Sequence, residues 1–270
     1  MYAKLLAYEI RSRYRADARS FGAFIATIAA ASGIVAAGLP GISGSTAVLA
    51  YALCALTPVA CAIAAMADYW KTLYGQRGYF TMSLPVSGTT IFWAKTTRMV
   101  IECLLALALA IGGIIAVASA AAWSDGISLA EYTAGPRSLV AGVPTSTVAI
   151  MIVAQVLVSL SWLVQGSAVM SIGAEGRFNH MGFGAPIIGF VLLYIVNQVL
   201  STVGTFFLPL SVTTDGHFST EIMWTSYLAT MGTEGQPNVI GTGSYVLVPL
   251  VALVMGLWAS RSIEKHTSLR

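Results

Sequence analysis

One acidic side chain falls inside an apolar run of this chain: Glu102, four residues after Arg98. That spacing puts the two on one helical face as an ion pair. Ion-coupled transporters and proton pumps carry ionisable groups deep in the membrane, and a single paired acid argues against such a relay. The histidines, His180, His217 and His266, are far apart and make no metal-spaced cluster. Cys54, Cys61 and Cys103 sit in apolar runs and read as small packing residues rather than as a disulfide framework or a zinc site. The chain has no G-x-x-x-x-G-K-[ST] loop to cradle phosphates, and neither G-x-S-x-G nor H-E-x-x-H occurs. Enzyme chemistry is therefore disfavoured, and no cofactor or metal is expected on this chain.

Uncharged polar residues do occur within apolar runs. Gln155, Ser159 and Ser161 fall in one, and Asn197, Gln198, Ser201 and Thr202 in another. Amides in hydrocarbon need partners. Two roles fit them: hydrogen bonds between helices, or the lining of a translocation path by Gln155, Ser159, Asn197, Gln198 and Ser201.

The elements that position these residues follow from composition. Of 270 residues, 57% are hydrophobic and 9% charged, against about 25% charged in soluble domains. So few charges cannot build a water-facing surface. Crossing hydrocarbon takes about 20 mostly apolar residues, and six segments qualify: 21–40, 46–67, 97–122, 147–170, 186–209 and 243–260. The fold class expected is an all-α polytopic membrane protein forming one six-helix transmembrane domain over 21–270.

Basic residues orient the threading. Lys4, Arg11, Arg13, Arg15 and Arg19 precede the first span. Lys71, Arg77, Lys95 and Arg98 follow the second, Arg177 follows the fourth, and Arg261, Lys265 and Arg270 follow the sixth. With an inside N-terminus, thirteen of the fourteen Lys and Arg residues share one side, and only Arg137 falls opposite. Both termini are then cytoplasmic. The net charge is only +3, and no nucleic-acid partner is expected.

Residues 1–20 precede the first apolar run, which is itself long enough to span, so a cleaved signal peptide is not expected. Tyr2, Leu6, Ile10 and Tyr14 recur every four residues, with Lys4, Arg11, Arg15 and Arg19 roughly opposite. The pattern predicts an amphipathic helix in the cytoplasmic interface, touching membrane lipid; a basic flank that only sets topology is the simpler alternative. Glu9, Arg13 and Asp17 interrupt the apolar ridge, at spacings that permit salt bridges.

The longest cytoplasmic connection, 68–96, is rich in aromatic and apolar residues. Gly75, Gly78 and Pro85 break any long helix there, so one or two short helices are expected. Tyr69 and Trp70 fit an aromatic belt. Tyr79, Phe80, Met82 and Leu84 suit a protein partner better. On the outside, 210–242 holds an apolar stretch from Ile222 to Met231 that is too short to span and reads as a re-entrant or interfacial hairpin capping the outer end.

This layout, with the run Tyr74-Gly75-Gln76-Arg77-Gly78-Tyr79-Phe80-Thr81-Met82-Ser83-Leu84-Pro85-Val86-Ser87 followed by Ala94-Lys95, resembles the type-2 ATP-binding cassette (ABC) transporter permeases of bacteria. The opening Lys4-Leu5-Leu6-Ala7-Tyr8-Glu9-Ile10-Arg11 is similar to their start. The resemblance implies a plasma-membrane subunit paired with a second permease copy or homologue. Each half would dock on a separate cytoplasmic ATPase subunit, which carries the ATP and Mg. It implies an elbow helix over 1–20. It also implies a coupling helix made by Tyr74, Gly75, Arg77, Gly78, Tyr79, Phe80, Met82 and Leu84. The stretch 222–231 would be the re-entrant element before the last span. The expected cargo is hydrophobic or amphipathic: a drug, an antimicrobial peptide or a lipid-like molecule. Two other classes compete: a membrane sensor or scaffold subunit that moves nothing, and an ion-coupled secondary transporter.

Overall fold

The computed structural model describes residues 1–75, 78–83, 85–182, 184–231 and 235–265, without the side chains of Phe80 and Asn179. Among these residues the chain forms α1 (Tyr2–Ala36), α2 (Ser43–Leu73), a five-residue α3 (Gly78–Met82), α4 (Gly88–Ser124), the short α5 (Leu129–Tyr132) and α6 (Ala134–Ser138), and α7 (Thr145–Gly173). A 3-10 turn at Gly176–Met181 leads to α8 (Gly184–Phe207). Strands β1 (Ser211–Thr213) and β2 (Phe218–Ser219), helix α9 (Met223–Thr230), strand β3 (Val239–Gly241) and helix α10 (Ser244–Lys265) complete it. Six of these, α1, α2, α4, α7, α8 and α10, are long and apolar enough to cross a membrane. Helix is the form available to such segments, because hydrocarbon offers no partner to a backbone N–H or C=O.

Several helices outrun the apolar segments that mark them. Helix α1 is continuous over 35 residues, or about 52 Å at 1.5 Å per residue, against a hydrocarbon thickness of about 30 Å. No break separates residues 2–20 from the apolar run, so the boundary expected at residue 20 has no counterpart in secondary structure. Helix α2 runs on to Leu73 and α4 starts at Gly88. The connection expected at 68–96 is accordingly confined to 74–87. Hydropathy registers only the apolar stretch, whereas a helix continues until a glycine or proline stops it; here Gly75 and Pro85 mark the two ends.

The chain divides into two compact units. The first comprises Met1–Lys71 with Ala94–Leu139. Its core gathers Ile28 of α1, Ala50 and Cys54 of α2, and Ala110 and Val117 of α4, with Phe24 and Tyr51 packed against them. The tight turn between α1 and α2 uses left-handed backbone at Gly38 (φ 63°) and Gly41 (φ 76°), a conformation glycine adopts without steric cost.

The second unit comprises Thr72–Trp93 with the chain from Val140 onward. Helix α10 packs on both α7 and α8, and α7 on α8. Gly204 of α8 allows this: a Cβ there would lie 2.9 Å from the backbone nitrogen of Ser244, where α10 begins. The region 210–242 departs from expectation. It holds a small antiparallel sheet of order β2-β1-β3, with Ser211 opposite both Ser219 and Gly241. The stretch 222–231 is one eight-residue helix rather than a hairpin. Trp224 and Tyr227 of α9 stack on each other at 6.0 Å and meet Phe206 of α8 edge-on.

Candidate functional site

Of the residues expected to couple to an ATPase, Gly78, Tyr79, Phe80 and Met82 lie in the five-residue α3, and Tyr74 and Gly75 lie in the turn before it. Gly78 N–H donates to the Gly75 carbonyl at 2.8 Å, starting α3, and Ser83 N–H donates to Tyr79 at 3.0 Å at its end. Thr81 Oγ1 donates to the Thr72 carbonyl at 3.0 Å, folding α3 back against the last turn of α2. Gly78 is buried and Met82 half-buried, whereas Tyr79 is 54% exposed. Arg77 and Leu84 lie outside the described residues, as does the side chain of Phe80. Ser87 Oγ then accepts from Thr90 N–H at 3.3 Å, the arrangement by which a serine starts a helix.

The start of α4 is seated on α10. A Cβ on Gly88 would lie 2.8 Å from the backbone nitrogen of Glu264, and one on Gly256 would lie 3.1 Å from the Trp93 ring. Phe92 is fully buried and meets Trp93 edge-on at 5.2 Å. The segment after α3 is thus held by backbone-to-backbone approach and aromatic packing, both of which resist deformation.

Of the five polar residues considered for a path, the structure buries one. Asn197 of α8 is 2% exposed; its Nδ2 donates to Gln165 Oε1 at 2.7 Å and to the Leu193 carbonyl at 3.1 Å. Gln165 of α7, fully buried, donates from Nε2 to the Val248 carbonyl of α10 at 2.9 Å. One amide pair therefore ties three helices. Sequence reading singled out Asn197 and missed Gln165; the available signal was a second amide in the same apolar run as Gln155. Gln155 is exposed and accepts from the Tyr245 hydroxyl at 3.1 Å. Ser159 and Gln198 are exposed and Ser201 half-buried. Ser159 donates to its own helix at the Gln155 carbonyl. No hydrogen bond joins the α7 residues Gln155 and Ser159 to the α8 residues Asn197, Gln198 and Ser201 among the described residues.

Two cavities open on the second unit. The one near the start of α7 and α10 is about 760 Å³ and mixed in character, lined by Ser211, Thr220, Thr242 and Tyr245 together with Ile150 and Met151. The other, near the end of α7, is about 390 Å³ and lined almost wholly by apolar side chains of α7, α8 and α10.

The first unit holds an apolar cavity of about 290 Å³ lined by α1 and α4, and a cluster of charges. Lys95 Nζ lies 2.9 Å from Glu9 Oε1, both side chains less than a tenth exposed. Arg98 is shared between Asp68 at 2.9 Å and Glu102 at 3.0 Å, and Arg13 lies 2.7 Å from Asp68 and 3.6 Å from Asp17. The Arg98–Glu102 pair is the one its spacing indicates. Glu9 has a partner from α4 that sequence spacing does not reveal.

Comparison with protein-family models, curated proteins and solved structures returns no match. What fold and geometry define is a multi-pass helical membrane protein, with six helices able to span, a neutral amide tie in one unit and an ionic cluster in the other.

Proposed function

We propose that this chain is the permease subunit of a bacterial ABC exporter. ATP and Mg would be held by a separate cytoplasmic ATPase subunit, and a second permease copy or homologue would complete the path in the plasma membrane. The observation that carries this reading is α3: a five-residue helix presenting Tyr79 to solvent, within a connection whose far end is locked onto α10. A subunit that receives mechanical work from an ATPase needs an exposed apolar contact joined stiffly to its bundle, and it needs no catalytic side chain. The basic residues support cytoplasmic termini and a cytoplasmic α3. The hydrophobic or amphipathic cargo remains drug-, peptide- or lipid-like. The 760 Å³ cavity, lined by both hydroxyl-bearing and apolar residues, suits such a molecule.

The test is co-purification of a tagged chain in mild detergent, followed by ATPase assay. A stoichiometric ATPase subunit is expected. Tyr79→Ala with Phe80→Ala should abolish stimulation of that ATPase while the bundle stays folded. Stimulation unchanged by both substitutions removes α3 as the coupling element, and a preparation with no ATPase across detergents favours the sensor or scaffold class.

A further inference from the structure

The 390 Å³ cavity has one open side and an apolar wall. Val169 and Gly173 of α7, Gly189 and Leu192 of α8, and Trp258 of α10 line it, together with Phe178 of the 3-10 turn. Under the inside-N-terminus threading this end of the three helices faces the cytoplasmic leaflet. A void at that depth forfeits dispersion contacts on every wall, and its immediate solvent is lipid. The tails of lipid are as apolar as the wall, so transfer from bilayer to cavity is close to neutral for hydrocarbon alone. Selection of an occupant must come from the polar group at the mouth.

That group is Arg177. Its guanidinium lies 4.7 Å from the centroid of the ring of Phe178, a residue that lines the cavity, and the side chain is 59% exposed. Nε lies 2.7 Å from a carboxylate oxygen of Glu175, whose side chain is buried. A guanidinium carries five N–H donors, and the two Nη groups of Arg177 meet no acceptor among the described residues. Glu175 therefore fixes the orientation of the fork without using its Nη donors, and bidentate N–H pairs suit a phosphate. Arg261 follows the cavity residue Trp258 by three positions on α10 and is exposed, adding a second cation at this end. Basic pockets between helices on the cytoplasmic side favour anionic headgroups.

We propose that this cavity holds one acyl chain of an anionic phospholipid of the cytoplasmic leaflet, with its phosphate bound by Arg177. The inference rests on the threading adopted above and not on the identity of the ATPase.

The full chain, purified in detergent and washed extensively, is extracted and its phospholipid quantified and typed by mass spectrometry. About one phospholipid per chain is expected, with an anionic preference of about fivefold over the source membrane, the effect of one basic side chain near a charged surface. Leu192→Trp, on the exposed wall, should fill the space and remove the lipid; Ile188→Trp serves if that variant does not fold. Glu175→Gln together with Arg177→Gln, which avoids a bare buried carboxylate, should keep the lipid and lose the anionic preference. Lipid retained at full stoichiometry in the folded Trp variants overturns the proposal. So does an anionic preference that survives loss of Arg177, or a Trp variant that changes oligomeric state without losing lipid, which would make the cavity a contact between copies. ATPase co-purification is a separate readout, so failure here leaves the permease reading standing.

Discussion

In the first unit the buried ties between helices are ion pairs; in the second they are neutral amides, and the buried Glu175 pairs only with the exposed Arg177 two residues on. Glu9, Lys95, Arg98 and Glu102 are each less than a tenth exposed and lie in ion pairs linking α1, α2 and α4. Gln165 and Asn197 are equally buried, but they tie α7, α8 and α10 by amide hydrogen bonds, and the cavities of 760 and 390 Å³ lie in the same unit. An ion pair in a dry site is all-or-none, because separating it exposes bare charge. An amide pair loses one ordinary hydrogen bond and can exchange partners at low cost.

The largest effect expected comes from breaking the Glu9–Lys95 ion pair. Lys95→Met leaves the Glu9 carboxylate buried without its cation and should cost about 3–5 kcal/mol, read as a fall in thermal stability of the detergent-solubilised chain. Glu9→Gln with Lys95→Met should recover most of that loss, since it removes both charges. Equal losses in the single and double variants would mean that Glu9 and Lys95 are not coupled, and the contrast between the units would fail at its strongest point.

Next in size is Gly204→Leu. Its Cβ would meet the backbone where α10 starts, at Ser244 and Gly243, and overpacking of this kind costs about 1–3 kcal/mol. The second unit should lose stability while the ionic cluster of the first keeps its protection in hydrogen exchange. Loss of protection in both would show that the two units do not open independently.

These ion pairs also mark what the sequence could and could not disclose. Arg98 and Glu102 are four residues apart on one helix, so their pairing follows from helical geometry alone. Arg13 and Asp68 are 55 positions apart, and Glu9 meets Lys95 across two helices. Which face of α1 meets α4 depends on packing that no local pattern encodes. The six long apolar helices were legible because a span has a length and a composition. Their ends were not, because α1, α2 and α4 continue beyond the apolar stretch. The three-stranded sheet escaped notice because two- and three-residue strands are shorter than the roughly four residues over which an alternation becomes readable. Asn197 was legible as an amide in need of a partner. That the partner is Gln165, and that Gln155 and Ser159 lie apart from it, depends on the packing of α7 against α8.

Within the second unit Asn197→Leu should have a smaller effect, about 0.6 kcal/mol and at most about 1.7 kcal/mol, the range for hydrogen bonds between helices in membranes. The substitution removes the donor to Gln165 Oε1, and Gln165 keeps its bond to Val248. A loss on the scale expected for Lys95→Met would erase the distinction between neutral and charged ties.

The smallest effect belongs to Tyr245→Phe. The Tyr245 hydroxyl reaches Gln155 at 3.1 Å, at the edge of the 760 Å³ cavity, and Gln155 is exposed. An exposed amide left by one donor can take another, so the thermal shift should fall below that of Asn197→Leu. Measuring both variants side by side decides which contact joins α7 to α10. If Tyr245→Phe is the more damaging, the weight of the second unit rests on the rim of its larger cavity rather than on the Gln165–Asn197 tie. Emptying or filling that cavity would then alter stability directly. If it is the milder, the rim is free to open for a ligand while the three helices stay joined at Gln165.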